Sequence, residues 1–208
     1  MIPVQILAVR YLANASPALA EGLGAPKGYR CLGLLTTDCD DATYIALDAA
    51  TKAAEVEVAY GRSFYAGAAN ASILNAGEVI GILAGATPGA VKSGMEAAIS
   101  ALSRVGFEEI GGVPYLAHTV SSVGSFLANE AGVRPGSAIA YLIAPPLEGM
   151  YALDAALKAA DVKLCKLYGP PSETNFGGAL LSGTQSACDA ACAAFAQAVA
   201  EVAGRPKG

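Results

Sequence analysis

Three carboxylates crowd one short stretch of the chain, at Asp38, Asp40 and Asp41, with no Lys or Arg close by in sequence. Like charges that near raise one another's energy unless they are solvated, matched to a cation or set against the free N–H groups of a helix start. Helix capping is one reading; a recess for a weakly held small cation is the other. Glu78 at a strand start could join such a recess if the sheet brings its strand beside the one that precedes Asp40. His118 is the only histidine, and no Cys lies near it at a metal-ligand spacing, so a structural histidine is expected. The five cysteines, Cys31, Cys39, Cys165, Cys188 and Cys192, are odd in number and unevenly spaced, which argues against a disulfide scaffold and for a reducing cytosol. Cys188 and Cys192 stand four apart on an apolar helix stripe, where inert thiols are the default. There is no glycine fingerprint between strand and helix, no phosphate loop and no nucleophile elbow. No catalytic residue, metal or cofactor is therefore expected, and the chain does not read as an enzyme.

The elements that must position these residues form an α/β pattern. Residues 31–36 read as a short apolar strand, 42–54 as a helix introduced by the aspartates, 56–59 and 78–83 as strands. Thr87-Pro88 is a helix start, with a hydroxyl at the cap and proline in the first turn. Val91, Met95, Ala98 and Leu102 share a face of that helix, and Gly106 reads as its stop. A short helix over 13–22 precedes these elements. In the second half, strands are read at 115–120, 138–144, 162–167 and 176–181, with helices at 122–131, from Pro145-Pro146 to 160, and from Thr184 to 202. Gly111-Gly112 reads as a turn. Two glycine-, serine- and asparagine-rich loops, 61–77 and 169–178, interrupt corresponding strand pairs, with aromatics that read as exposed.

The halves are related. Residues 46–58 read ALDAATKAAEVEV and residues 152–164 read ALDAALKAADVKL, with nine of thirteen positions identical at an offset of 106. Helix propensity explains the alanines but not the matched Asp48/Asp154 and Lys52/Lys158. A weaker match pairs 81–98 with 178–195 at an offset of 97, aligning Leu83 with Leu180, Thr87 with Thr184 and Ala90 with Ala187. The first copy thus carries about nine more residues between its matched blocks than the second, placed in 62–76. Each copy reads as strand, helix, strand, strand, helix, with a further strand and helix before it, a small sheet covered by helices. We place the domains at 1–110 and 111–208.

The bulk numbers exclude several classes. Of the 208 residues 15% are charged and 54% hydrophobic, with net charge −5. The basic residues are scattered, so neither nucleic acid nor an anionic membrane is an expected partner. No uninterrupted apolar stretch is long enough to span a bilayer, and nothing at the start reads as a secretory signal. Sparse charge and abundant small residues leave a surface easily desolvated, which suits self-association.

Three long segments carry a family resemblance: DDATYIALDAATKAAEVEVAYGRSFYAGAA (40–69), AYLIAPPLEGMYALDAALKAADV (140–162) and PPSETNFGGALLSGTQSACDAAC (170–192). Over nearly the whole chain the sequence resembles the tandem-domain shell proteins of the ethanolamine-utilisation microcompartment. The resemblance implies two circularly permuted microcompartment domains per chain and a homotrimer that behaves as a flat pseudohexamer. It implies lateral contacts with other shell proteins and a cytoplasmic microcompartment shell around encapsulated enzymes. It also implies a central pore that opens and closes, and smaller channels that pass or bind a small polar metabolite such as ethanolamine. Carried over by residue, Asp40, Glu78 and Phe107 are expected at the small channel. Phe64, Tyr65, Asn70, Asn75, Glu173, Asn175 and Phe176 are expected on the central pore loops, and Lys52 and Lys158 at the tile edge. Asn70 stands where some relatives have a histidine. The competing reading is a tandem-domain sensor of a small ligand, which would bind tightly without lateral assembly.

Overall fold

The computed structural model describes residues 1–64, 78–170 and 175–207, with Phe64 and Glu78 described by their backbone. The chain divides into two compact units. The first is Pro3–Gly106 with Gly124–Leu127, and the second is Met1–Ile2, Phe107–Val123 and Ala128–Gly208.

In the first unit β1 (Ile6–Leu12), α1 (Pro17–Gly22), β2 (Cys31–Thr37), α2 (Asp40–Ala53), β3 (Val56–Phe64), β4 (Glu78–Gly85) and α3 (Pro88–Leu102) follow in order. The strands make an antiparallel sheet in the order β1-β2-β4-β3. Successive side chains of β2 and β4 point to opposite faces. On one face Leu32, Ile82 and Ala84 pack with Ala15 and Ala20 at α1. On the other, Leu35 and Leu83 are fully buried, and glycines admit the helices closely: a Cβ on Gly81 would lie 2.6 Å from the Leu47 side chain of α2.

The second unit contains β5 (Glu108–Ile110), β6 (Val113–Val120), α4 (Ser125–Ala131), β7 (Ala138–Ala144), α5 (Pro146–Ala159), β8 (Val162–Tyr168), β9 (Gly177–Gly183) and α6 (Gln185–Gly204), apart from the first turn of α4, which counts with the first unit. Its sheet runs β5-β6-β7-β9-β8. Its core gathers Leu142, Leu153, Leu181, Cys188, Phe195 and Val199 between the sheet, α5 and α6. β5 and β6 are joined by a two-residue turn in which Gly111 (φ 58°) and Gly112 (φ 84°) both take the left-handed conformation, as a primed hairpin turn requires.

The duplication extends to fine geometry. Without β5 the second order, β6-β7-β9-β8, is that of the first sheet. A β-bulge falls between Val58 and Tyr60 and again, 106 residues on, between Leu164 and Lys166. Thr87 and Thr184 each accept the N–H of the third residue on, Ala90 and Ala187, at 3.2 Å. The ends of α1 and α4 match at an offset of 108: the Ala25 N–H reaches the Ala20 carbonyl, and the Val133 N–H the Ala128 carbonyl, both at 3.0 Å.

Several expectations need correction. Gly85 and Gly183 both pair with the first residue of their neighbouring strand, Val56 and Val162. The strand offset is therefore 98, so Leu83 matches Leu181 rather than Leu180; the helices that follow keep 97 because the first copy has one more residue between strand and cap. α3 ends at Leu102, with Ser103 as its cap, before Gly106 is reached. α1 starts at Pro17 rather than 13, and its N-cap Ser16 accepts the Leu19 N–H. β1 had no place by residue in the sequence reading, because its largely exposed ILAVRYL shows neither alternation nor a buried run.

Candidate functional site

The carboxylates lie where β2 turns into α2. Hydroxyls shape that turn. The Cys39 N–H donates to Thr37 Oγ1 at 3.1 Å, the Thr37 and Thr43 hydroxyls lie 2.6 Å apart, and Thr43 donates to the Cys39 carbonyl at 2.8 Å. Of the three aspartates, Asp40 accepts a free N–H of the first helical turn, that of Asp41, as expected of a carboxylate there, although none of them is the N-cap. The N-cap is Cys39, which makes no side-chain cap bond. Asp38 instead ties down β1, accepting the Gln5 N–H at 2.8 Å while its own N–H donates to the Gln5 carbonyl at 3.2 Å.

Asp40 and Asp41 occupy the first turn of α2 and are only 4% and 6% exposed. Asp40 Oδ1 accepts the Asp41 N–H at 2.9 Å. Burial, and next the charge of Asp41, push the Asp40 carboxyl well above the ordinary Asp range, against the hydrogen bonds from Asp41 and Ser63 that favour its charged form. Burial likewise raises the Tyr44 phenol and the Cys39 thiol, to which Asp41's charge adds. The Tyr44 hydroxyl donates to Ser63 Oγ at 3.1 Å. Such a setting favours a proton or a cation and disfavours an anion.

The strand register brings Glu78 to the same end of the sheet. Val79 pairs with Thr37 on one side and Ser63 on the other, and Glu78 pairs with Phe64. The strand leading to Asp40 and the strand of Glu78 are thus neighbours in backbone. Ser63 and Tyr44 were not singled out from the sequence. The signal for Tyr44 was its position four residues after Asp40, one turn along the same helix face.

The other expected site residues fall into separate settings. Phe107 belongs to the second unit, where its fully buried ring meets Phe176 edge-on at 5.6 Å and 73°. Phe176 is buried too, which corrects its reading as an exposed loop aromatic. Asn175 is exposed, with a left-handed φ of 65°. Tyr65, Asn70, Asn75 and Glu173 lie outside the described residues, and Phe64 ends β3. Lys52 and Lys158 each reach back one helical turn to an aspartate: Lys52 to Asp48 at 3.3 Å, Lys158 to Asp154 at 2.6 Å. His118 lies half-buried in β6, paired with Tyr141 across the sheet. Burial pushes the Cys192 thiol up to about 11, and that of Cys188 in the same direction. Among the described residues no group of three or more His, Cys, Asp or Glu is placed to hold a metal.

One more concavity, a cavity of about 160 Å³ between β1, β2 and the start of α3, is lined by Tyr11, Leu12, Cys31, Val91 and Lys92 among others. The Cys31 thiol bonds to the Ala13 carbonyl at 3.1 Å. With β1 unplaced, the sequence could not indicate it.

The BMC domain family model matches residues 31–112. The chain is 57% identical over 212 aligned residues, all of this chain and 98% of the relative, to the bacterial microcompartment shell protein EutL of Clostridium perfringens strain 13. The crystal structure of EutL from Clostridium perfringens superposes with a TM-score of 0.93 at 56% identity, covering 100% of this chain and 96% of that one. The ethanolamine utilization protein EutL of Leptotrichia buccalis superposes with the same TM-score of 0.93 at 55% identity, covering 100% and 97%.

Proposed function

The chain belongs to the EutL family of bacterial microcompartment shell proteins, and from that premise we propose that three copies close into a flat pseudohexameric tile of a cytoplasmic ethanolamine-utilisation compartment. The shell role itself, the tandem permuted BMC domains and the non-enzymatic character follow from the family. The domain limits 1–110 and 111–208, the homotrimer, the lateral contacts with other shell proteins, and the enclosed enzymes are the proposal. The observation that carries it is identity at more than half of all positions, end to end, with a shell protein. Two similar sheets per chain are what a threefold ring needs to present six near-equivalent sectors.

Within the tile we assign the recess at Asp40 to a small cationic solute, an alkanolamine such as ethanolamine. Glu78, whose strand neighbours the one leading to Asp40, completes this site, and by family membership the loops of a gated central pore are assigned to residues 64–75 and 173–175. The buried Asp40–Asp41 pair supports this. Its field attracts an ammonium group and gives a neutral aldehyde no advantage, and the attraction must remain weak if the solute is to leave.

Titration calorimetry with ethanolamine tests the assignment. The expected outcome is weak binding to the parent, reduced several-fold by Glu78→Gln and by Asp40→Asn. Equal affinity in parent and variants would remove both residues from the site. Sedimentation should show a trimer, and a stable monomer at all concentrations would end the tile reading.

A further inference from the structure

The duplication is imperfect at one place, and the imperfections are matched in pairs. In the first unit the start of α4, Gly124–Leu127, is seated in a notch between α2 and the edge strand β3. The Gly124 N–H donates to Asp48 Oδ2 at 2.8 Å and the Leu127 N–H to Asp48 Oδ1 at 2.9 Å. The Ser125 N–H donates to Thr51 Oγ1 at 3.2 Å. The Phe126 ring meets Tyr44 with centroids 6.0 Å apart, and a Cβ on Gly61 would lie 3.5 Å from its tip. Gly124 can carry no Cβ, which would fall 2.1 Å from Thr51 Oγ1.

The offsets fixed by the fold locate the counterparts. The notch of α2 and β3 repeats, 106 residues on, in α5 and β8, with Asp154, Leu157 and Leu167 for Asp48, Thr51 and Gly61. The seated segment repeats, 108 residues earlier, at the start of α1, with Ser16, Pro17, Ala18 and Leu19 for Gly124, Ser125, Phe126 and Leu127. Each substitution on one side answers one on the other. Where Phe126 meets Gly61, the counterparts are Ala18 and Leu167: the large side chain has moved from segment to wall. Where Ser125 needs an acceptor and Thr51 supplies it, Pro17 has no N–H and Leu157 no oxygen. Where the Leu127 N–H takes Asp48, Leu19 is capped locally by Ser16 Oγ at 3.2 Å, which leaves Asp154 to Lys158.

In the single chain these complements are left largely exposed to solvent. Leu167 is 53% exposed, Leu19 47%, and Ala18 is exposed as well. Compensating volume and hydrogen-bond changes have physical meaning only if the two surfaces touch. We infer that the α1 start of one chain docks, by Pro17, Ala18 and Leu19, into the α5–β8 notch of a second copy, with Leu157 and Leu167 as its wall. The contact is head-to-tail, so under the threefold closure of the tile it builds a ring rather than a two-fold dimer. It rests on the tile reading above and specifies which faces join. The seating of Gly124–Leu127 within the first unit is held by three hydrogen bonds from the segment's N–H groups; the joint between chains is apolar, with the Leu19 N–H capped by its own Ser16. An exposed apolar surface of this kind can be left in water during assembly without orphaning an N–H group.

A size swap tests it by sedimentation. Ala18→Phe should weaken association by about tenfold or more through overpacking against Leu167. Leu167→Gly in the same chain should restore it, because the pair then reproduces Phe126 on Gly61. Both positions are exposed in the single chain, so circular dichroism of each variant should match the parent. If Ala18→Phe assembles like the parent, or Leu167→Gly fails to rescue it, the joint lies elsewhere while the tile reading stands. A parent that never leaves the monomeric state overturns both.

Discussion

Asp40 is the residue at which burial and charge pull against each other. A carboxyl whose folded pKa lies above its ordinary value of 3.8 keeps its proton in the native state at pH values where the unfolded chain has released it. The native state then binds more protons, so unfolding free energy falls as pH rises from the ordinary value through the folded one. This contribution is fully present in acid and lost toward neutrality. Asp40→Asn keeps an oxygen for the Asp41 N–H and removes the buried charge. The variant should be more stable than the parent at pH 7, and the two should converge as pH falls toward 4. Urea midpoints measured across that range check this. A variant that is less stable at pH 7 would show that the carboxylate is matched by charge in the folded chain and is not burdened by burial. A buried carboxylate whose hydrogen bonds do not offset its burial is the sort of local inconsistency expected where a ligand supplies the missing charge.

At the scale of elements, the same dipeptide spacing does different work in the two copies. Asp48 is fully buried and satisfies two N–H groups at the start of α4, while Asp154 is exposed and pairs with Lys158. Asp48→Ala should therefore cost about 2–3 kcal/mol, since it orphans buried donors and removes a helix cap. Asp154→Ala should stay within about 0.5 kcal/mol, as for other exposed ion pairs. Equilibrium urea unfolding separates the two, and equal losses would refute the assigned cap. This division of labour was not legible in the sequence. ALDAATKAA and ALDAALKAA declare a repeated helix, and the polar identities make the repeat credible, but identity hides that one aspartate is enclosed by a segment 76 residues away. The strands of the second copy were readable because β7 is an unbroken apolar run between a glycine turn and prolines. β1 was not, because an exposed edge strand lacks the alternation that a one-sided core imposes. The surroundings of Asp40 were half legible: the aspartate cluster and Tyr44, one helical turn on, stand in local sequence, whereas Ser63 joins through the β3 register, which no local pattern specifies. The aspartates, read as a helix start, do mark one, with Asp40 accepting the Asp41 N–H, but Asp38 is turned to Gln5 instead.

At the scale of the molecule, the proposed ring of three chains would carry two kinds of near-equivalent helix end, that of α2 with Lys52 and that of α5 with Lys158. Their surroundings predict different consequences of removal. Lys52 neutralises Asp48, whose carboxylate is buried, so Lys52→Ala leaves that charge with less compensation and should lower the stability of the chain. Lys158 and its partner are both mostly exposed, so Lys158→Ala should leave the unfolding midpoint nearly unchanged. If these lysines form the tile edge, Lys158→Ala isolates the lateral contact from the fold. The variant should remain a trimer by sedimentation yet give fewer or smaller sheets by negative-stain electron microscopy at matched concentration and salt. Raising the ionic strength should diminish the difference between parent and variant, because an exposed ammonium acts through a field screened over roughly 10 Å at 0.1 M salt. Sheets as extensive as the parent's would take Lys158 out of the edge contact. Loss of the trimer as well would place it in the ring joint beside Leu157, one residue along the same helix.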